Sequence, residues 1–316
     1  MNPIAMRRLV AFIILIAAGL ALYVFSPRPV PSPNAYVPGA VPTLQMARAE
    51  LLPVIQSGSS PVRDTTVPDP VLDANAAVIY HVESGTELFV KNPDLRVPIA
   101  SLTKVMSALV SDDLFSPDEI VTVGSASVRV DGQKQTLFPG EQLHVRDLVS
   151  MMLIESSNDA AYALAAHAQS EGIDFVAKMN AKAWVLGMTD CAFHDPAGLD
   201  DTAYCSARDL VRLTRAALRN APQLWSVMAS PEVQVRSVDG SVVHDVKSTD
   251  ELLGSIPGII GAKTGNTDGA LGCLLLVVQS PDKRDTLISV VLGSRQRFTD
   301  SAALVSWAWK AYRMEQ

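Results

Sequence analysis

Histidine and cysteine are scarce, five and three in 316 residues. The histidines, at 81, 144, 167, 194 and 244, are scattered, and no Cys/His set has the spacing of a zinc site. Nothing in the sequence calls for a metal or a cofactor. Positive charge is in deficit. The formal net charge of −7 excludes general attraction to nucleic acid and makes any anionic partner depend on a local basic patch. No internal repeat stands out. What is abundant is apolar: 48% of residues are hydrophobic and 19% charged, which suits a globular core and not a disordered chain.

The N-terminus differs in kind from the rest. "MNPIAMRR" leads into the uncharged run "LVAFIILIAAGLALYVF", Leu9 to Phe25. Seventeen apolar residues are at the lower limit for crossing a bilayer as a helix. Arg7 and Arg8 before the run predict a cytoplasmic N-terminus and an exported remainder. A cleaved signal peptide has the same outline, but Leu22, Tyr23, Val24 and Phe25 are too bulky for a cleavage site there, which favours an uncleaved anchor. Residues 26–70 hold ten of the twenty prolines, a composition for an extended spacer, with a short helix possible around "PTLQMARAELLPVIQ". Export would permit Cys191 and Cys205, which flank one loop, to pair; the sequence leaves that open. Cys273, in "ALGCLLLVV", reads as a buried strand residue.

From residue 71 to 316 the chain reads as one domain. "AAVIYHVESGTELFVKN" alternates and breaks at Glu83-Ser84-Gly85, a β-hairpin pattern. Helical patterns follow over Ile99 to Val110, Val145 to Leu153, Asn158 to His167, Ile173 to Leu186 and Ala207 to Leu218, the last capped by Ser206. Strand patterns return in "VQVRS", "SVVHDV", "IIGAKTG", "GALGCLLLVVQS" and "TLISVVLGS", and a helix over Asp300 to Tyr312 ends the chain. Strands at both ends with helices between predict an α/β (α+β) fold: an antiparallel sheet flanked by helices, with an inserted helical lobe.

Three short patterns carry chemistry. In "VPIASLTKVMSALV", Ser101 and Lys104 lie one helical turn apart on the same face. Ser101 falls near a helix N-terminus, where an oxyanion is stabilised, and the apolar neighbours of Lys104 would desolvate it and lower its pKa. A neutral lysine within reach of a serine can serve as its base. In "LIESSNDAAYALA", Ser156 and Asn158 can face a cleft before a helix, or Ser156 or Asn158 can simply cap that helix. In "GIIGAKTGNTDGALG", Lys263 and Thr264 offer a carboxylate site, and Lys263 would help keep Lys104 neutral by repulsion. Gly265 would let an extended peptide approach the strand edge. Each pattern alone is cheap: Ser280 to Lys283 repeats the first in a polar turn, and "SPN" repeats the second in the spacer.

Together and in this order, Ser101-x-x-Lys104, Ser156-x-Asn158 and Lys263-Thr264-Gly265 resemble the motifs of the penicillin-binding serine acyl-transferases. The nearer likeness is to the low-molecular-mass D-alanyl-D-alanine carboxypeptidases and their endopeptidase relatives. It extends through "PIASLTKVM", "PGEQLHVRDLVSMMLIESSNDAAYALA", "GMTDCAFHDPAGLDDTAYCSARDL" and "GAKTGNTDGALGCLLL". The resemblance implies a β-lactamase/transpeptidase-like fold and an acyl-enzyme on Ser101. Lys104 would be the base, Ser156 the proton relay to the leaving amine, and Asn158 a holder of Lys104 and of the substrate amide. Lys263 and Thr264 would bind the terminal carboxylate, with Arg297 nearby, and the N–H groups of Ser101 and Asn266 would form the oxyanion hole. It implies peptidoglycan stem peptides as substrates and β-lactams as covalent inhibitors, on the periplasmic face of a bacterial inner membrane, or in the periplasm if the signal is cleaved. Two departures stand out. Ser157 occupies a position where these carboxypeptidases often have glycine, and the chain stops one helix after "VVLGS", which looks more like the endopeptidases. A class A-like β-lactamase would need a Glu-x-x-Leu-Asn stretch, and none occurs between Asn158 and Lys263. A non-catalytic cell-wall binding protein is the remaining alternative, against which stand the intact motifs.

Overall fold

The strands that read as near-continuous apolar runs do so because both faces of their sheet are covered. The computed structural model describes residues 61–130 and 136–313, all within one compact unit. The N-terminal apolar run, the expected helix around Pro42 to Gln56 and most of the spacer lie outside the described residues. In chain order, β1 (Val62–Arg63) precedes the hairpin β2 (Ala76–His81) and β3 (Thr86–Lys91). A 3-10 turn, Ala100–Leu102, runs into α1 (Thr103–Leu114). Next come β4 (Ile120–Thr122), β5 (Gln142–His144), α2 (Val145–Ile154), α3 (Asn158–Ser170), α4 (Phe175–Val185), α5 (Ala207–Asn220) and α6 (Gln223–Met228). The chain returns through β6 (Glu232–Arg236), β7 (Val243–Lys247), β8 (Ile259–Thr267), β9 (Leu271–Gln279) and β10 (Thr286–Ser294) to α7 (Arg297–Ala311) and β11 (Tyr312–Arg313).

The main sheet is antiparallel in the order β3-β2-β10-β9-β8. The N-terminal hairpin therefore pairs with the last strands, and the helices between them form the inserted lobe. Side-chain alternation divides the core as period two requires. Val78, Tyr80, Leu275, Val277, Ile288 and Val290 face the helices of the lobe. Ile79, Leu274, Leu276, Val278 and Val291 face α7, where Leu304 and Trp307 lie. Trp307 is a packing residue: it donates from Nε1 to the Pro68 carbonyl and meets Phe89 edge-on.

The folded part begins earlier than the proline content indicates. β1 pairs with β11, and Asp64 N–H donates to Ala311 O, because a two-residue edge strand between prolines needs few backbone donors. His81 pins the hairpin β2–β3 to the turn that leads into the neighbouring strand β10. Its Nδ1 accepts the Ser84 N–H, which leaves the proton on Nε2 to donate to Asp285 Oδ1 at 3.0 Å. Ser206 caps α5 as expected, accepting from Asp209 N–H. At α3 neither expected cap is used: Ser157 accepts from Ala160 N–H. That is the task of the serine that stands where glycine was anticipated.

Candidate active site

The turn Ala100–Leu102 presents Ser101 at the mouth of α1, and Lys104 follows in the first turn of that helix. Ala100 has φ +47°, a left-handed conformation that costs a residue with a Cβ about 1–2 kcal/mol. Ser156, in the short link between α2 and α3, has φ +67°. Such strain persists only where the surroundings impose it, and both residues border one cleft. The cleft has a volume of about 370 Å3, and its lining includes Ser101, Ser156, Asn158, Thr264, Asn266 and Arg297, with Glu155 and Thr249. All the motif residues expected at the site thus converge, and Arg297, the first residue of α7, joins them.

Lys104 is 0% exposed. Its Nζ lies 2.7 Å from Ser101 Oγ, 2.8 Å from Asn158 Oδ1 and 2.8 Å from the Ala197 carbonyl. Burial lowers its pKa from 10.5 to about 7, opposed by the charge of Asp195, which raises it. Desolvation is the main cause of the shift. The three neighbours decide how a neutral amine must sit. Asn158 Oδ1 and Ala197 O can only accept, so they take the two N–H bonds of the amine. The lone pair is left facing Ser101 Oγ, the one partner that can donate. An amine so held is oriented to remove the serine proton.

Lys263, on β8, is 1% exposed and donates to Ser156 Oγ at 3.0 Å and to its neighbour's carbonyl, Thr264 O, at 2.9 Å. Thr264 Oγ1 shares a hydrogen bond with Thr249 Oγ1. Thr249 carries no motif that would single it out. Gly265 has a different reason from the one expected. A Cβ there would lie 2.8 Å from Ile99 O and 3.2 Å from Ser101 N, so the absent side chain makes room for the protein's own turn beneath the serine. Gly272 does the same for Arg297, whose Cδ would be 3.1 Å from a Cβ at that glycine.

The loop after Cys191 was not legible as part of the site. Asp195 accepts four backbone N–H groups, from Ala197, Gly198, Leu199 and Asp200, at 2.6 to 2.9 Å. The turn it makes aims the Ala197 carbonyl at Lys104. A disulfide between Cys191 and Cys205 closes this loop at its base, so the pairing left open by the sequence is made. Cys273 is free, buried, and pushed up to about 11 by burial, which leaves it an inert thiol.

A serine beside a desolvated lysine, an amide on that lysine, a second serine held by Lys263, and a Lys-Thr pair on an edge strand define a serine acyl-transferase of the penicillin-binding type. The comparisons agree. Residues 63–296 match the D-alanyl-D-alanine carboxypeptidase family, and the chain belongs to it. It is 31% identical over 264 residues to D-alanyl-D-alanine carboxypeptidase DacC of Escherichia coli, a match covering 79% of this chain and 64% of that protein. It is 33% identical over 262 residues to a D-alanyl-D-alanine endopeptidase of Pseudomonas aeruginosa, covering 78% of this chain and 84% of the relative. Among solved structures, penicillin-binding protein D2 from Listeria monocytogenes in its cefotaxime-bound form superimposes with a TM-score of 0.66 at 33% identity, over 77% of this chain and 99% of that one. The chain thus spans less than two thirds of the carboxypeptidase and most of the endopeptidase.

Proposed function

We propose that the chain is a serine-type D-Ala-D-Ala carboxypeptidase acting on peptidoglycan stem peptides through an acyl-enzyme on Ser101. The observation that carries this reading is the buried Lys104 amine, held 2.7 Å from Ser101 Oγ by Asn158 Oδ1 and the Ala197 carbonyl. Ser101 Oγ attacks the penultimate D-alanyl carbonyl while Lys104 takes its proton. The carbonyl oxygen becomes an oxyanion held by the N–H groups of Ser101 and Asn266. The proton Lys104 has taken is relayed through the hydroxyl of Ser156, itself held by Lys263, to the departing nitrogen; the C–N bond breaks and D-alanine leaves. Water then hydrolyses the ester. Lys263, Thr264 and Arg297 supply positive charge and a hydroxyl for the terminal carboxylate, and β8, an edge strand, offers the extended peptide a partner.

A cross-link between stem peptides presents the same acyl group with a different leaving amine. The 33% identity to a protein named an endopeptidase, across 84% of its length, supports cleavage of such links as a second activity. β-Lactams would acylate the same serine, and the cefotaxime-bound relative supports this. Residues 9–25 are read as a membrane anchor that holds the domain on the periplasmic face; no helix among the described residues is long and apolar enough to cross a membrane.

Two measurements test the proposal. Ser101→Ala is expected to abolish covalent labelling by a fluorescent penicillin while the protein stays folded; labelling that persists would name a different nucleophile. Incubation with a pentapeptide and with a cross-linked dimer, followed by mass spectrometry, is expected to show loss of one D-alanine from the first. Cleavage of the dimer alone would make the protein an endopeptidase.

A further inference from the structure

We propose that Asp195 is a positioning residue for acyl transfer: its carboxylate winds the 195–200 loop about itself and so aims the Ala197 carbonyl at Lys104. The inference rests on the reading of Lys104 as the base.

The geometry has two parts. Asp195 Oδ1 takes the N–H groups of Ala197 and Gly198, and Oδ2 those of Leu199 and Asp200. Four donors on one carboxylate fix the direction of every carbonyl in the turn, including the one that holds Lys104 Nζ at 2.8 Å. The same turn presses on the other member of the pair. Gly198 has φ +77°, and a Cβ there would fall 2.0 Å from the carbonyl oxygen of Ala100, the strained residue just before the serine. One side chain thus braces the nucleophile's turn and the base together.

The carboxylate also sets the proton affinity of the base. Burial and Asp195 are the two influences on Lys104, in opposite directions. Other charged groups lie on the surrounding elements: Asp147 on α2, Glu155 at its end, Asp159 on α3, Lys182 on α4, Asp209 on α5, Lys263 on β8, Arg297 on α7 and Asp200 in the same loop. Beside burial, Asp195 is the charge that weighs on Lys104. Removing the Asp195 charge therefore makes the ammonium less stable, and the amine is free at lower pH.

The test is the rate constant for acylation by a penicillin, measured from pH 5 to 9 on the wild type, Asp195→Asn and Asp195→Ala. The wild type should lose rate as pH falls through about 7. Asp195→Asn keeps an oxygen for Ala197 and Gly198 but sets an amide N–H2 against two N–H donors. Its acid limb should move down by roughly half a pH unit or more, with a lower plateau. Asp195→Ala should show the same displacement and a still lower plateau. A wild-type plateau with the limb unmoved in Asp195→Asn would overturn the inference. If Asp195→Ala does not fold, Asp195→Asn decides alone. A wild type that is not acylated at all would strike the assignment of function, and this inference with it.

Discussion

Lys104 gathers the energetics of the site into one amine. Its three polar contacts compensate its burial, yet desolvation still brings its pKa to about 7. Below that pH the amine is an ammonium with three N–H bonds and no lone pair for Ser101, so acylation should fall roughly tenfold per pH unit on the acid side. Lys104→Arg should remove the limb as well as the activity, by at least about a hundredfold at every pH, because a guanidinium does not give up its proton. A pH–rate profile of penicillin acylation checks both. Lys263 acts one step further out. Lys263→Ala should slow all substrates through the loss of its bond to Ser156, and should weaken those with a free terminal carboxylate about tenfold more than their amides. Equal losses would remove its carboxylate role. The serine, both lysines and Asn158 were legible in the sequence because their chemistry needs those residue types. Asp195 and Thr249 were not, since they act through a backbone turn and through another residue's hydroxyl.

At the scale of elements, the site is made by close approach. The turn carrying Ser101 lies against β8 at Gly265, and the 195–200 loop lies against the same turn at Gly198. Gly265→Ala would put a methyl group against the Ile99 carbonyl and the Ser101 nitrogen, an approach the backbone must relieve by shifting the turn. The expected result is a loss of acylation of tenfold or more with the far-ultraviolet circular dichroism unchanged, since misplacement by an ångström is costly in catalysis. Unaltered acylation would mean the turn yields freely. The longer elements followed from pattern alone. β2, β9 and β10 read as strands through their apolar runs, and α5 through its cap and periodicity. The short ones did not: α6 spans six residues, β4 and β5 three each. Such segments are too brief for a period to register, and tertiary contacts decide their conformation. α1 began later than its pattern indicated because the strained Ala100 diverts its first turn into the 3-10 form that displays the serine.

For the whole molecule, the sheet order has a mechanical meaning. The β2–β3 hairpin comes early in the chain, but β2 pairs with β10, which comes near the end, so neither the sheet nor the lobe is complete without the other. A chain starting at Pro61 should therefore melt in a single cooperative transition and be acylated by penicillin at the full-length rate, as calorimetry and labelling would report. Two separate transitions would show that the sheet and the lobe melt apart; a markedly slower label would show that residues 1–60 contribute to the folded unit. The class of fold was legible from strands at both ends of the sequence; the pairing of β1 with β11 was not, because two residues leave no pattern. That small ladder sets Val62 opposite Arg313 and Arg63 opposite Tyr312, so the way into the fold and the way out are neighbours. A linker of a few residues could join them. The polypeptide could then be opened elsewhere, at the exposed Pro281 to Arg284 turn between β9 and β10, and the rearranged gene product should still fold. The order in which a ribosome delivers the pieces would then be separable from the architecture they build.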